Sequence, residues 1–236
     1  MRRVLVLVAL ALVLVPLAPA TASAPPYRSS VRPLPASIRD LMRGSSWRPG
    51  CPVGLSDLRL VGVTFWGFDR QAHHGRLVVH RTVARDVARL FGKLYAARFP
   101  IHRMRLVDRY RANDKRSMKD DNTSAFNCRY RNGVCCTWSM HAYGKAIDIN
   151  PVENPELWSG GVAPPNGAAY ADRSNKRRGM IFHGDVVWKA FHATSPWKII
   201  PLRLFDRSAY AAPFGGATPP DHSSGFSTGL MSIALP

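Results

Sequence analysis

Acidic residues are scarce in this chain: 15 Asp and Glu stand against 33 Lys and Arg in 236 residues, a formal net charge of +18. That balance argues against cationic partners. It favours polyanionic surroundings such as phosphate-bearing wall polymers, anionic lipid head groups or extracellular nucleic acid. Cysteine is also scarce, with only Cys51, Cys128, Cys135 and Cys136. No C-x-x-C spacing occurs among them, which excludes a cysteine-ligated zinc knot. There is no internal repeat, and beyond the N-terminus no apolar run long enough for a bilayer core of ~30 Å. An integral membrane protein is therefore not expected once the N-terminal segment is removed.

That N-terminal segment is MRRVLVLVALALVLVPLAPATASA. Two arginines precede an apolar run that ends near Pro16, and small residues follow as far as Ala24, the order of a secretory signal peptide. Cleavage after Ala24 is expected, leaving a secreted chain of a size that suits one domain with a sizeable core. Outside the cell, thiols tend to pair. A Cys51–Cys128 bridge would close a long loop, whereas Cys135 and Cys136 are adjacent and could pair elsewhere or stay free. Residues 25–50 are rich in Pro, Ser and Arg and read as a linker around one short helix near Ile38–Met42.

From residue 56 the texture changes. Leu58–Trp66 alternates as a strand, and Gly75–His80 reads as a second strand. Val83, Val87, Leu90, Phe91, Leu94 and Tyr95 recur at helical spacing and predict an amphipathic helix over about 81–98. A short strand is expected from Met104 and a long polar loop over 109–137, a length usually reserved for functional loops. Gly184–Ala193 predicts another helix, with Asp185 capping it or complementing its dipole. Beyond about residue 193 no sustained period remains. The aromatics are largely taken up by this predicted core, so no specific nucleic-acid partner is expected from charge alone.

The chemistry concentrates in WSMHAYGKAIDIN, residues 138–150. Read as a strand from Gly144, the segment sends Ile147 and Ile149 to the core and Asp148 to the other face. His141 lies seven residues earlier, so an unbroken strand would point it away from Asp148. Gly144 permits a turn that brings the imidazole back. A histidine nitrogen with an aspartate oxygen suits Zn²⁺, and the same pair would serve as a hydrogen-bonded core couple.

The whole pattern S-M-H-A-Y-G-K-A-I-D, residues 139–148, resembles the S-x-H-x-x-G-x-A-x-D motif of the D-Ala-D-Ala carboxypeptidase and L-Ala-D-Glu endopeptidase family. Those zinc peptidases share a fold with the hedgehog signalling domain. The neighbouring NTSAFNCR (122–129) and NPVENP (150–155) look like a secreted, actinobacterial-type branch. The resemblance spans roughly residues 50–193. It implies an α+β domain over about 51–229, with a small antiparallel sheet flanked by helices. It also implies one zinc ion held by His141, Asp148 and a second histidine. The implied substrate is a peptidoglycan stem peptide, cleaved by zinc-activated water in the cell wall or its surroundings, with anionic wall polymers attracted by charge. An arginine should steady the substrate carboxylate or oxyanion; Arg129 is the choice, with Arg111 and Arg116 as competitors.

The family closes its site with an acid-x-x-His-Phe segment, and that segment is missing. After Asp148 the histidines are His183, His192 and His222, preceded at three residues by Met180, Lys189 and Pro219. Asp221-His222 is the nearest remnant by chain order, which makes His222 the expected third ligand and Asp221 the expected general base. His183, with Asp185 close by, is the rival. Residues 193–236 are atypical for the family, as an altered reading frame beyond about 193 would make them.

Overall fold

The computed structural model describes residues 24–131, 135–158, 160–193, 198–201 and 231–234. Residues 1–23 of the expected signal peptide, Asp221 and His222 lie outside them. Among the described residues no helix is long and apolar enough to cross a membrane.

The fold is α+β, with helices against small sheets. Strand β2 (Leu58–Trp66) pairs antiparallel along its whole length with β3 (Ala72–His80). Both alternate apolar residues, and the inward set, including Val61, Val63, Phe65, Leu77 and Val79, is almost fully buried. Helix α2 (Ala84–Ala96) covers that face with Val87, Leu90, Phe91 and Leu94, a spacing that stacks one stripe on one side of a helix. Each such buried side chain is worth about 1.5–3 kcal/mol in removal from water. The helix stops short of the expected residue 98 because Arg98 turns left-handed at φ 52°, and Phe99 N donates back to Leu94 O at 3.0 Å. Helix α4 (Val186–His192) packs Val187, Ala190 and Phe191 into the same core.

Residues 25–50, read from sequence as a linker, build part of the domain. Ser29–Pro33 forms β1, antiparallel to β2 with Val31 opposite Val61. Ala36–Met42 forms α1, close to the expected short helix. Leu34, Ile38 and Met42 join Leu58, Leu60, Val78, Leu106 and Phe126 in a second core cluster. The prolines and arginines that gave the segment its linker texture sit on its exposed side; its few apolar residues do the anchoring.

The long polar stretch is also more ordered than a loop. Arg103–Met104 is β4, a strand shorter than expected, because a 3-10 turn begins at Val107. Asp114–Lys119 is α3, capped by the Asn113 side chain, which accepts from Arg116 N at 3.0 Å. Asn122–Thr123 is β5, parallel to β4. Strand β6 (Ala146–Asp148) follows, then the hairpin of β7 (Glu156–Trp158) and β8 (Gly161–Ala163). Strand β9 (Lys198–Pro201) and β10 (Met231–Ala234) complete a sheet of order β6-β10-β9, with Ser232 opposite Asp148.

Two disulfides are present. Cys51–Cys128 joins positions 77 residues apart. Cys135 and Cys136 bond to each other rather than to other partners or remaining free. Closing a loop as long as the first restricts the unfolded chain by about 4–5 kcal/mol on chain-entropy grounds. The Cys51→Ser/Cys128→Ser double variant is therefore expected to lose roughly 2–5 kcal/mol, seen in urea titration as a lower midpoint.

Candidate metal centre

Ser139 opens the central segment: its hydroxyl accepts from His141 N at 3.3 Å and starts a 3-10 turn over Met140–Tyr143. Gly144 ends the turn at φ 64°. A Cβ at Gly144 would lie 2.7 Å from His80 N, and that same amide donates to Gly144 O at 2.9 Å. The position thus demands glycine for both conformation and space. The turn reverses the side-chain direction that an unbroken strand would impose. His141 Nε2 and Asp148 Oδ2 meet at 3.3 Å, with side chains only 6% and 5% exposed.

The imidazole is held from its other nitrogen. Nδ1 lies 2.6 Å from the carbonyl oxygen of Ala125. A carbonyl only accepts, so Nδ1 carries the proton and Nε2 turns its remaining site toward Asp148. Two states fit this arrangement: a doubly protonated imidazolium against the carboxylate, or a neutral imidazole sharing a cation with it. Burial alone pushes the His141 pKa down, but the Asp148 carboxylate beside it outweighs this and holds it above the ordinary histidine value. Tetrahedral zinc with bonds of ~2.0–2.1 Å separates its ligands by about 3.3 Å, which matches the observed gap. The donor set and its bite therefore fit such an ion, and the Ala125 contact is the outer support that metal-bound histidines commonly have.

NTSAFNCR forms the wall behind this pair. Ser124 and Asp148 exchange backbone hydrogen bonds at 3.1 and 2.9 Å, and Asn127 N donates to His141 O. NPVENP closes the other side. Asn150, left-handed at φ 46°, donates to Pro100 O and Gly179 O and accepts from His102 N. Asn154 donates to Ile149 O, Asn150 O and Gly179 O. These buried amides replace sheet hydrogen bonds that irregular chain cannot make.

Arg129 Nη2 pairs with Asp114 Oδ2 at 2.9 Å, while its Nε is buried with no hydrogen-bond partner. Its charge is felt at His141 and at Glu156. Glu156, the first residue of β7, is raised above the ordinary carboxylate range by burial and then by the Asp148 carboxylate. Sequence reasoning missed Glu156 and Asp114. For Glu156 the available signal was its place immediately after Asn154-Pro155, the end of a motif already singled out.

The competitors fall elsewhere. Arg111 and Arg116 are exposed. His183 and His192 flank the Trp188 ring at centroid distances of 4.4 and 3.7 Å. Asp185 is occupied as the cap of α4, accepting from Trp188 N and Phe182 N. A concavity of about 720 Å³ lies between α1 and β4, lined by residues such as Ile38, Arg76 and Arg105. Its lining also includes Ser37 and His74, and it shares no residue with the His141–Asp148 pair.

Residues 135–197 match the family described as D-alanyl-D-alanine carboxypeptidase. The match covers about a quarter of the chain, includes His141 and Asp148, and ends before Asp221 and His222. It supports a peptidase related to that family. No curated protein and no solved structure matches the chain.

Two outcomes follow from this geometry. Gly144→Ala should cost about 1–3 kcal/mol in backbone strain, plus the displacement of His80 N, and should weaken metal binding. Gly184→Ala, also at positive φ but with nothing within 4 Å of its Cβ, should show only the backbone part; paired denaturant titrations compare them. In metal-free protein, the raised His141 pKa adds stability that is complete below the ordinary histidine value and lost as pH climbs through the folded-state value. Asp148→Asn should flatten that dependence in urea titrations between pH 5.5 and 9.

Proposed function

We propose that this chain is a secreted zinc-dependent peptidase acting on peptidoglycan stem peptides. We also infer a hedgehog-type α+β fold, a signal peptide over 1–24 and a place at the cell wall. The observation that carries the reading is the buried His141–Asp148 pair, with Nδ1 anchored on Ala125 and Nε2 3.3 Å from Asp148 Oδ2.

His141 and Asp148 would supply two ligands and His222 the third. Support for His222 is positional: β10 returns to pair with β6 at Asp148, and Met231 stands nine residues after His222. At ~3.3–3.6 Å per residue, such a stretch can span up to about 30 Å, ample to reach the pair. A zinc ion held by these residues would supply Lewis acidity for a bound water and the scissile carbonyl. The protein's own groups do the rest. Arg129 has a buried Nε–H in want of an acceptor, and a substrate carboxylate or developing oxyanion would satisfy it. For proton removal two carboxyls compete. Asp221 is favoured by chain order; Glu156 is favoured by its raised pKa and its proximity in charge to Asp148. The surplus of basic side chains would hold the enzyme near anionic wall polymers.

A second reading has the same fold and wall attraction without turnover: a cationic wall-binding protein. It is favoured by the missing acid-x-x-His-Phe segment. Muropeptide hydrolysis separates the two. The peptidase reading expects cleavage that ends on chelation or with His141→Ala, and a fall of about 10²–10⁴-fold in kcat, with zinc retained, for whichever of Glu156→Gln and Asp221→Asn removes the base. Wall binding with no cleavage under any metal loading would leave the binding protein.

A further inference from the structure

A second cluster of ligand-bearing side chains lies apart from the His141–Asp148 pair. His102 immediately precedes β4, Asp121 immediately precedes β5, and Glu153 sits in the turn after β6. One ligand atom from each, an imidazole nitrogen and two carboxylate oxygens, lies within 4.8 Å of the others. His102 Nδ1 is 3.3 Å from Asp121 Oδ2.

The carboxylates are buried, with Asp121 5% and Glu153 4% exposed. Asp121 Oδ1 is held by Val152 N at 2.9 Å, which fixes the aim of the other oxygen. Yet Asp121 Oδ2 and Glu153 Oε2 are buried with no hydrogen-bond partner. Leaving two such acceptors unsatisfied is costly, and facing each other they also repel. Burial and then the neighbouring Asp121 carboxyl raise the Glu153 pKa, and a hydrogen bond with the Tyr170 side chain offsets part of this. The His102 ring is about half exposed, rests against Phe68 and leaves a route in from solvent.

We propose that His102, Asp121 and Glu153 form a second divalent-cation site, suited by its one nitrogen and two oxygens to zinc or a similar first-row ion. The imidazole disfavours calcium and magnesium, which prefer all-oxygen sets. The site has a structural role. Asp121 leads through β5 into Ser124, which bridges Asp148, and into Ala125, which orients His141. Glu153 follows β6, which carries Asp148. A cation here ties together both segments that hold the metal centre.

The test is zinc stoichiometry by elemental analysis of the purified full chain, alongside melting temperature with and without zinc. His102→Gln, a change at a half-exposed ring, and Glu153→Gln should each bind about one equivalent less than wild type and lose part of the zinc-induced rise in melting temperature. His141→Ala should keep that equivalent. If His102→Gln binds as much zinc as wild type, with an unchanged thermal shift, the cluster is a proton-sharing carboxyl pair and the proposal falls, whether or not Glu153→Gln folds. Failure of the peptidase reading would instead remove hydrolysis while leaving the His102-dependent equivalent in place.

Discussion

The hydrogen bond from His141 Nδ1 to the Ala125 carbonyl, 2.6 Å long, decides what the rest of the centre can be. It commits one imidazole nitrogen to the backbone and leaves the other pointing at a buried carboxylate. For that to hold, Ala125 must stay fixed relative to Asp148, and the Ser124–Asp148 backbone bridge fixes it. The bridge in turn needs β5 against β4 and β6 in the core, where Ile147 and Ile149 are fully buried. A pair of polar side chains is thus positioned by apolar burial on one side and by backbone hydrogen bonds on the other. Neither His141 nor Asp148 can relax into solvent, so the pair stays poised to share a proton or a cation.

Much of this was legible in the sequence, because the signals were local. The stripe Val87, Leu90, Phe91, Leu94 shows α2 without any partner in view, and the alternation of β2 and β3 shows their buried faces. Gly144 between His141 and Asp148 implies the turn that brings them together. What escaped depends on contacts distant in the chain. Residues 25–50 look like a linker by composition, yet Val31 lies opposite Val61 and Met42 is buried against residues from β2 and β3. The polar stretch 109–137 hides α3 and β5 because its order comes from capping and side-chain amides rather than from hydrophobic period. Glu156 gains its raised pKa only from where the chain folds it.

The amide-rich NPVENP segment shows how irregular chain can be as firmly held as a sheet. Asn150 and Asn154 take up carbonyls from Pro100, Ile149 and Gly179, so the loops around the centre have their polar groups satisfied internally. That economy makes the exceptions informative. Among the described residues, the buried Nε atoms of Arg129 and Arg173, the hydroxyls of Ser45 and Ser46, and one oxygen each of Asp121 and Glu153 lack hydrogen-bond partners. The Arg129 guanidinium is already paired with Asp114 through Nη2, whereas the Asp121 and Glu153 oxygens belong to the proposed bracing site.

The central claim is that His141 and Asp148 hold a metal ion rather than a shared proton. Anomalous diffraction at the zinc edge, on crystals grown with zinc, tests it most directly. The account predicts an anomalous peak about 2.0–2.2 Å from both His141 Nε2 and Asp148 Oδ2, with Nδ1 still on the Ala125 carbonyl. A zinc-soaked crystal with no peak between them, and His141 hydrogen-bonded straight to Asp148, would contradict it.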